Sequence, residues 1–562
     1  MNTIFFDSET TGLDPFYDKI TLIQLNQDGK IRLIQTFTES KIEKLRGLLE
    51  NNLIVGHNLK FDLKFLKHQF NIEPIHLFDT WVAEVLISGG MKARQRGAAT
   101  LEVITKQYLN IEMNKGETLR TSFKGKQPLT QEQIKYAALD VARLNKIHEI
   151  QQVKLKELGL EKVFEIEMNC IPATVWLELS GLPIDLEGLK KIEKETKEKL
   201  EAAELKVKTI LKELGYRNLD LYGLPAINLG SPIELLGALK AIKIDVNSTA
   251  DEVISLIDHP IGKAIKEYRK QQKLLTSFIL KYPEHIHKVT GRIQPQFNQY
   301  GTNTGRFTSN NPNMQQVPHE KEIRGLFKSN DGSTIITADY SQIELRIIAE
   351  ISQEPKFLEI YKKGGDLHRL TAALLLNKPE AEVTKEERQQ AKPVNFGFAY
   401  GLGAKSFREK AKKDYDIDIS EEHAQQFRNT FFKSYNVLEK YLKTIAFKAA
   451  ENYQVRNNAG RIIKFMRGLE RWQYENMGRN TPIQSLSADI TKTAMGRLYH
   501  KLKHFKVKLI NAVHDELVFE VPSEQAAIIS QIIKEEMEAA GREYLKTVPC
   551  IVEISMGEVW QK

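Results

Sequence analysis

No single hydrophobic core can organise this chain, because it has 562 residues and cores stop growing at about 250–300 residues. We therefore expect about three to five structural units. Hydrophobic residues make up 41% of the sequence and charged residues 27%, and no apolar run approaches the roughly 18 residues that a membrane helix needs. The composition predicts a soluble globular protein with several subdomains and no membrane partner.

Cysteine content and the start of the chain bear on the cellular compartment. The two cysteines, Cys170 and Cys550, lie far apart and lack the spacing of a zinc site or a disulfide framework. A strand-like apolar run starts at Ile4, which leaves no room before it for a signal or transit peptide. These features predict a cytoplasmic protein. The net charge of +8 suits a polyanionic partner but decides little by itself.

The order of apolar patterns predicts the outline of the fold. Residues 3–150 alternate short apolar runs with helical patterns, which indicates an α/β or α+β domain. A charged amphipathic helix is predicted over 187–214, and the pattern favours a coiled coil or solvated helix and a DNA-contacting helix equally. A further helix is predicted over 248–275, with a capping-box pattern at 249–252 and a basic segment at 268–273.

Two carboxylates stand two residues apart in the first predicted strand. Asp7 and Glu9 therefore point to the same face at its end. Such a pair repels unless cations lie between the two groups, and hard cations such as Mg²⁺ prefer oxygen ligands. Asp62 lies on a later helix, and Tyr136 and Asp140 share one helical face at a spacing of four. Unless the helical acids are merely solvated, the set predicts a two-metal site that acts on phosphodiesters.

This arrangement resembles the proofreading 3′–5′ exonucleases of the ribonuclease H-like superfamily, in the subclass whose third motif is Tyr-x-x-x-Asp. The resemblance implies that the acids bind two metal ions and that the tyrosine orients the attacking water. The residues that would take these roles are Asp7, Glu9, Asp62, Asp140 and Tyr136. This segment is also similar to RNA-trimming ribonucleases, so the rest of the chain has to decide between the two.

A second set of acids lies at strand ends in the C-terminal half. The β-branched run 334–338 is typical of a buried strand, and Asp339 stands where it gives way to an amphipathic helix. Two further strands are predicted at 507–513 and 517–521, joined through the His-Asp-Glu sequence of residues 514–516. This turn lacks the Asn-Gly or Asp-Gly sequence preferred in hairpins, so its acids favour a functional role.

A stripe of cations and rings lies between these two acidic segments. Arg388, Lys392, Phe396 and Tyr400 follow each other at a spacing of four, so one helical face would show two cations and then two rings. The cations suit a triphosphate and the rings suit stacking on a base or sugar. An ordinary amphipathic helix could carry the same stripe.

Three motifs in this region resemble those of family A DNA polymerases. They are the Asp-Tyr-Ser-Gln-Ile-Glu-Leu-Arg run from Asp339, the Arg-x-x-x-Lys-x-x-x-Phe-Gly-x-x-Tyr-Gly helix from Arg388, and the Val-His-Asp-Glu turn from Val513. The similarity extends over nearly the whole chain through the segments 302–309, 312–315, 366–369 and 480–484. It is a similarity to the large, Klenow-type part of the bacterial DNA polymerase I group, without the 5′-nuclease domain that would precede the exonuclease.

The resemblance implies two Mg²⁺ ions per active site, which Mn²⁺ can replace. In the polymerase site it implies metal binding at Asp339, Tyr340 and Asp515, with Glu516 as a further catalytic acid. The positions that would bind the deoxynucleoside triphosphate are Gln342, Glu344, His368, Arg388, Lys392, Phe396 and Tyr400. Those that would contact primer-template DNA are Arg306, Asn313, Gln315, Asn480, Gln484 and His514.

The implied fold is multidomain α/β and α+β. It has a ribonuclease H-like exonuclease domain at 1–152 and a right-hand polymerase domain at 153–562. The resemblance puts the thumb at about 185–290, the palm at about 291–352 and 485–562, and the fingers at about 353–484. We expect a monomer that binds primer-template DNA and dNTPs, with a processivity factor or other replication proteins as further partners. Because the long helix falls in the thumb, a DNA-contacting role for it is now favoured.

Two alternatives to a proofreading polymerase stay open at this point. One is a 3′–5′ nuclease whose polymerase half only binds DNA, and the other is a non-catalytic primer-template clamp. Four intact positions argue against both, namely Asp339, Asp515, Arg388 and Lys392. A pure binding module has no reason to place repelling acids next to a polyanion.

Overall fold

The computed structural model describes residues 1–95, 97–113, 122–123, 128–415, 417 and 419–561. Its strands are β1 (Thr3–Thr10), β2 (Ile20–Gln27), β3 (Lys30–Ile34), β4 (Leu53–Gly56), β5 (Leu77–Asp79), β6 (Gln296–Asn298), β7 (Thr308–Asn310), β8 (Ser333–Tyr340), β9 (Gln454–Arg456), β10 (Ile462–Lys464), β11 (Lys508–Val513), β12 (Glu516–Pro522) and β13 (Val552–Gly557).

Helices make up most of the remainder. They are α1 (Glu39–Glu50), α2 (Lys60–Phe70), α3 (Thr80–Ile87), α4 (Leu101–Leu109), α5 (Gln131–Glu157), α6 (Glu161–Ser180), α7 (Leu186–Glu213), α8 (Pro232–Ala241), α9 (Asp251–Ser255), α10 (Pro260–Leu274), α11 (Lys321–Arg324), α12 (Ile343–Ser352), α13 (Pro355–Lys362), α14 (Leu367–Leu376), α15 (Lys385–Ala399), α16 (Ala404–Tyr415), α17 (Glu421–Ser434), α18 (Asn436–Asn452), α19 (Arg471–Leu502) and α20 (Ala526–Arg542). Within the described residues, none of them combines the length and the apolar content needed to cross a membrane.

The first sheet lies in the N-terminal part and has the strand order β3-β2-β1-β4-β5. Its central strand β1 is antiparallel to β2 and parallel to β4. Ile4, Phe6 and Ile54 are fully buried in its core, and α5 packs across β1, β2 and β4. The pairing register of β1 with β2 shifts just after Glu9. The mixed α/β domain predicted from the sequence is therefore confirmed, and Asp7 and Glu9 lie near the end of its central strand.

The second sheet has the order β11-β12-β8-β13 and is antiparallel throughout. Asp339 on β8 pairs with Glu516 on one side and with Glu553 on the other. A tight turn joins β11 to β12, and its first residue, His514, has a φ of 55°. Helix α20 packs on β8, β12 and β13. The sheet therefore brings the predicted strand-end acids to neighbouring strands.

Helix α7 is a single long helix, as its sequence pattern predicts. It spans 28 residues and packs along α10. Leu189 near its start belongs to a core that includes residues of β8, β11 and β12, whereas Val207 and Leu211 near its end belong to a separate core with α8 and α10. Its far end therefore projects away from the second sheet on a small core of its own.

The single helix predicted over 248–275 is wrong, because the segment forms α9 and α10 with a break between them. Pro260 opens α10, as expected for a residue with a fixed φ and no N–H to donate. The ring of His259 caps this helix by accepting a hydrogen bond of 3.2 Å from the Ile261 amide. The predicted capping box also fails, since Ala250 holds the cap position of α9 and has no side-chain oxygen.

The predicted domain boundary at residue 152 falls inside α5, which continues to Glu157. Ion pairs then join the two parts of the chain. Glu178 on α6 accepts from Lys60 at 2.5 Å and Lys64 at 2.7 Å, both on α2. Lys60 also donates to the backbone oxygen of Phe297 at 2.6 Å. Helix α6 therefore links the N-terminal part of the chain to the C-terminal part.

Four charged side chains form a network that is fully buried. Arg461, which precedes β10, bonds to Glu167 on α6 and to Asp489 on α19, both at 2.5 Å. Lys492 on α19 bonds to Glu167 at 2.6 Å. Burial disfavours the ionised form of Glu167, but the two neighbouring cations outweigh burial and lower its pKa. The network fixes α6 against α19 and the β9–β10 hairpin.

We expect Glu167→Gln to lower the free energy of unfolding by about 3–5 kcal/mol, because it leaves two buried cations with one fewer anion. Glu193→Gln is the matched control, since it removes a partly exposed pair with Lys197 and should change stability by less than about 1 kcal/mol. Chemical denaturation followed by circular dichroism measures both. Similar midpoints for the two variants would contradict the importance of the network.

His148 makes the N-terminal part sensitive to acid. Its ring lies against Phe5 and Phe78, at centroid distances of 6.1 and 4.4 Å. Burial lowers the pKa of His148 to about 4, whereas the unfolded chain takes up this proton near pH 6.5. The folded state is thus unpenalised above about pH 6.5 and is progressively destabilised as the pH falls towards 4.

We expect His148→Phe to reduce the fall in melting temperature between pH 7 and pH 5, because the phenylalanine ring cannot bind a proton. After allowance for partial solvent exposure, the effect corresponds to about 1 kcal/mol at pH 5. Differential scanning fluorimetry at both pH values checks it, with the exposed His423 replaced in the same way as a control. Parallel pH curves for wild type and His148→Phe would rule the explanation out.

Candidate active sites

Three acidic side chains meet at the end of β1. Carboxylate oxygens of Asp7, Glu9 and Asp140 all lie within 4.8 Å of one another. Strand β1 supplies the first two and α5, which packs on β1, supplies the third. Among the described residues, this is the one group of three acids, histidines or cysteines close enough to share a metal ion. Because it lies in the segment whose motifs resemble those of 3′–5′ exonucleases, we call it the exonuclease triad.

The other two predicted residues of this site lie beside the triad. Asp62, in the first turn of α2, is buried and accepts a hydrogen bond of 2.5 Å from Ser8, the residue between Asp7 and Glu9. Burial raises the pKa of Asp62. Tyr136 is buried one turn before Asp140 on α5, as the spacing of four predicts. The structure therefore brings three of the four acids together. The fourth, Asp62, is bonded to Ser8 on the strand that carries Asp7 and Glu9.

A cavity of about 630 Å³, the central cleft, lies at the edge of the second sheet. Asp339 at the end of β8 and Asp515 in the β11–β12 turn both line it. So do three predicted phosphate-binding side chains, His368, Arg388 and Lys392. Burial and the nearby Glu344 raise the pKa of Asp515 to about 7. The cleft thus sets half-buried negative charge on the sheet beside cations from α15.

The side chains of two predicted residues of this site are bonded to partners outside the central cleft. Glu516, expected to be a catalytic acid, does not line the central cleft, because its two oxygens bond to Arg324 at 3.3 Å and to the Trp560 indole at 2.9 Å. Tyr340, expected to bind metal, buries its ring, and its hydroxyl donates to the Met537 carbonyl at 2.7 Å. A metal-binding role of Tyr340 would therefore fall to its backbone carbonyl.

Helix α15 presents the stripe that its spacing predicts. Arg388, Lys392 and Phe396 all line the central cleft, and Tyr400 lies just beyond the last helical residue. Arg388 is held in place by a hydrogen bond to Asp366, which in turn caps the start of α14 by accepting from two backbone amides. The guanidinium is therefore oriented before any ligand arrives.

His368 is poised as a neutral hydrogen-bond donor. It is buried, and burial lowers its pKa to about 4, with Arg388 and Lys392 adding to the effect. Its Nδ1 accepts from the Asn395 side-chain amide at 2.9 Å. Thr371 donates to the oxygen of that amide at 2.8 Å, which fixes the amide nitrogen towards the ring. The remaining Nε2–H of His368 is left to donate to an anion in the cleft.

A chain of hydrogen bonds closes another side of the cleft. Arg306 and the Tyr400 hydroxyl each donate to one oxygen of Glu344. Burial and Glu344 together raise the pKa of Tyr400 well above its ordinary value, so the hydroxyl stays protonated. Gln342 also lines the cleft and accepts from the Tyr361 hydroxyl at 3.2 Å. These side chains form a fixed polar wall.

The six positions predicted to contact DNA divide into two groups. Three of them line the central cleft, namely Arg306, Gln484 and His514. The others do not line it. Asn313 caps a short turn by accepting from the Gln315 amide at 3.0 Å, and the Gln315 side chain donates to the Ala512 carbonyl at 3.0 Å. Asn480 lies on α19, one turn before Gln484.

Glu553 is a cleft residue that the sequence analysis missed. It lies on β13, lines the central cleft and pairs directly with Asp339 on the neighbouring strand. A glutamate within a mostly apolar strand was the available signal, but the register between β8 and β13 is a long-range property. The cleft therefore has a third carboxylate on its sheet side.

Both acidic groups fit divalent metal ions. The exonuclease triad offers only oxygen ligands, and they lie at the separations that a shared ion requires. In the central cleft, the raised pKa of Asp515 reflects negative charge that is buried without enough positive charge beside it. A bound cation would supply that compensation.

Comparison with known proteins decides the family. Residues 189–562 match the sequence model of DNA polymerase family A. The chain belongs to this family. Residues 1–156 match the model of a 3′–5′ exonuclease, so the family A polymerase carries an exonuclease domain, and both kinds of domain depend on metal ions. The right-hand polymerase and exonuclease fold predicted from the sequence is confirmed.

Several relatives named DNA polymerase I are similar over most of the chain. The protein of Aquifex aeolicus (strain VF5) is 34% identical over 583 residues, covering 100% of this chain and 96% of the relative. That of Borreliella burgdorferi is 32% identical and that of Caldicellulosiruptor bescii is 31% identical, covering 99% and 91% of this chain. The chain spans 62% and 59% of the length of these two relatives.

A solved structure shares the fold. It is the POL domain of Pol1 from M. smegmatis, described as a complex with DNA primer-template and dNTP. The TM-score is 0.83 at 23% sequence identity, with 99% of this chain and 95% of the other chain covered. This chain therefore shares the fold of that structure over nearly its whole length.

We expect Glu553→Gln to raise the divalent metal concentration needed for half-maximal primer extension by about 2–5-fold, because it removes a charge next to Asp339 that is worth about 0.5–1 kcal/mol when solvent-exposed. Titration of the metal ion in a primer-extension assay measures the shift. Glu558→Gln is the control, since its side chain is 80% exposed and pairs only loosely with Lys328, at 3.7 Å. Superimposable titrations of Glu553→Gln and wild type would contradict the assignment.

Proposed function

We propose that this enzyme extends a DNA primer along a DNA template with dNTPs and removes the primer's 3′ end when it is mispaired, with Mg²⁺ at both sites. The observation that carries the proposal is the central cleft, where Asp339 and Asp515 lie with Arg388 and Lys392. A binding module has no use for repelling carboxylates beside a polyanion. In this chain the carboxylates and cations are matched to metal ions and a triphosphate.

In polymerisation, Asp339, Asp515 and the Tyr340 carbonyl would hold two Mg²⁺ ions, which Mn²⁺ can replace. When bound, these ions lower the pKa of the primer 3′-hydroxyl and neutralise charge on the triphosphate. Arg388 and Lys392 hold the triphosphate oxygens, with Arg388 already oriented by its internal bond. The neutral His368 adds a donor without adding charge.

The sugar and base are selected by the polar wall and the rings. Glu344 and Tyr400, joined by a hydrogen bond, crowd the sugar 2′-position and so favour deoxynucleotides. Gln342 borders the same space, and Phe396 stacks beside the incoming nucleotide. Because Phe396 lacks a hydroxyl, we expect dideoxynucleotides to be poor substrates.

In proofreading, the exonuclease triad together with Asp62 would hold two metal ions that activate water and stabilise the leaving oxygen. Tyr136 orients the attacking water. Asp62 has first to give up its bond to Ser8. The products are a shortened primer and a deoxynucleoside monophosphate.

Primer-template DNA would lie along α7, α10 and the central cleft. Arg306, Gln484 and His514 line the cleft and would follow the minor groove near the new base pair, where acceptors common to all pairs allow a check of shape. Asn313, Gln315 and Asn480 would support this contact. We assign residues 1–152 to the exonuclease. In the polymerase, the thumb spans about 185–290, the palm about 291–352 and 485–562, and the fingers about 353–484.

The setting of this reaction is cytoplasmic in our proposal. Both cysteines are free and buried, which fits a reducing compartment. The partners are primer-template DNA and dNTPs, as in the related complex from M. smegmatis. We expect the enzyme to work as a monomer and to accept a processivity factor or other replication proteins.

We expect a 5′-labelled primer on a longer DNA template to reach template length with Mg²⁺ and dNTPs, and to shorten when dNTPs are omitted. Asp7→Ala should abolish only the shortening, and Asp339→Asn only the extension, because each removes a metal ligand from one site. Chelation by EDTA should stop both reactions, and added Mg²⁺ should restore them. One denaturing gel reads all outcomes.

The same gel separates the alternatives. Shortening under every condition, with no extension by the wild type, would indicate a 3′–5′ nuclease with a DNA-binding remnant. Neither reaction, despite retention of the primer-template, would indicate a clamp.

A further inference from the structure

The loop that follows Glu9 has one defined conformation. We call residues 11–19 the exonuclease loop. Asp18 organises it by accepting from the Asp14 amide at 2.9 Å. The loop also folds tightly over that carboxylate, since a Cβ on Gly12 would lie 2.4 Å from an Asp18 oxygen. The loop is therefore compact, and a displacement of one of its residues would carry the others with it.

His287, from the polymerase part of the chain, closes over this loop. Its Nε2 lies 3.0 Å from an Asp14 carboxylate oxygen. Its ring centroid lies 5.0 Å from that of Phe16 and 4.8 Å from that of Tyr17. The His287 side chain is only 9% exposed. One side chain thus contacts three residues of the exonuclease loop across the boundary between the two parts.

The hydrogen-bond partners of His287 fix the roles of its two nitrogens. Nδ1 accepts from the backbone amides of Val289 and Thr290, both at 3.3 Å. Because Nδ1 is an acceptor, the proton of the neutral ring is on Nε2 and is donated to Asp14. The ring therefore makes a directed contact that a residue of similar size without a donor cannot make.

His287 is itself anchored to the sheet of the central cleft. Its backbone amide donates to the Arg292 carbonyl at 2.8 Å. The Arg292 guanidinium pairs with Glu520 on β12 at 2.8 Å and donates to the Gly181 carbonyl at 2.8 and 3.1 Å. Both Arg292 and Glu520 are buried. The exonuclease loop thus rests on a support that belongs to the polymerase part.

The loop is well placed to set the orientation of Glu9. The pairing of β1 with β2 shifts between Glu9 and Thr10, and such a bulge re-aims the side chains beside it. Thr10 donates to the Gly12 carbonyl at 2.6 Å and Thr21 donates to the Glu9 carbonyl at 3.1 Å. Displacement of the loop therefore acts on the backbone that carries a member of the exonuclease triad.

We propose that His287 is a positioning residue for the 3′–5′ exonuclease reaction, which holds the exonuclease loop against the polymerase part and so fixes the Glu9 carboxylate within the triad. The inference rests on the role proposed above for Glu9. A misplacement of about 1 Å in such a site can reduce turnover by about 100-fold. Partial loosening of the loop should therefore reduce exonuclease turnover by about 10-fold.

The test compares variants of the full chain on a labelled single-stranded oligonucleotide with Mg²⁺, and on a primer-template with dNTPs. In His287→Ala and in Asp14→Ala, exonuclease kcat should fall about 10-fold while KM stays within about 2-fold, and extension should be unchanged. The losses should be less than additive in the double variant, because both substitutions remove the same hydrogen bond between His287 and Asp14. His287→Gln, which can still donate to Asp14, should recover most of the rate.

Lys288→Ala is the matched control, because it changes an exposed neighbour, and Asp7→Ala identifies the site responsible for shortening. Wild-type rates of shortening in His287→Ala would overturn the inference while leaving the proposed function intact. A parallel fall in extension would overturn it too, since that indicates general destabilisation, and so would a change confined to KM. Absence of shortening by the wild type would overturn the proposed function together with the inference.

Discussion

The buried ion network around Arg461 is the constraint on which the rest of the structure depends. It joins Glu167 on α6 to Asp489 and Lys492 on α19 at full burial. Such a network contributes little net stability compared with apolar packing, but breaking it leaves an uncompensated charge in the interior. Misalignment of α6 against α19 is therefore strongly disfavoured. Since α19 carries Gln484 into the central cleft, this alignment also sets one wall of the polymerase site.

Both active sites face the same electrostatic problem and meet it in different ways. The exonuclease triad gathers carboxylates from β1 and α5. Asp7 and Glu9 are half-buried beside the buried Asp140, so water reaches two of the three groups and moderates their repulsion before a metal ion binds. Asp339 and Asp515 in the central cleft are also half-buried, but there protein cations share the task. Arg306 neutralises Glu344, and Arg388 is paired with Asp366. Among the described residues, no ion pair compensates Asp515, and burial together with the nearby Glu344 raises its pKa.

Local periodicity explains what could be predicted from the sequence. The two-residue spacing of Asp7 and Glu9 and the four-residue stripe from Arg388 both survive in the structure, because they depend only on the geometry of one strand or one helix. Glu553 could not be predicted in this way, because it reaches the cleft through the register of β13 against β8. Glu516 likewise depends on tertiary contacts, with Arg324 and Trp560 competing for its oxygens.

Proline and capping chemistry account for another difference. The hydrophobic pattern over 248–275 continues through Pro260, so periodicity alone gives one helix there. The fixed φ of proline instead favours a new first turn, and His259 supplies the cap. Asp62 was placed correctly on its helix, but its bond to Ser8 depends on how α2 lies against β1. Sequence patterns thus gave the elements, whereas the bonds between elements decided which acids face each other.

The two parts of the molecule are joined at several independent places. Helices α5 and α6 follow each other almost directly, Glu178 pairs with Lys60 and Lys64, and the Lys464 amide on β10 donates to the Gly89 carbonyl at 2.9 Å. Each contact would have to break for one part to rotate on the other. We infer that the two sites keep a fixed separation. A primer end that leaves the central cleft for the exonuclease triad must then travel by unpairing from its template, so the stability of the terminal base pairs, rather than a domain motion, sets how often proofreading occurs.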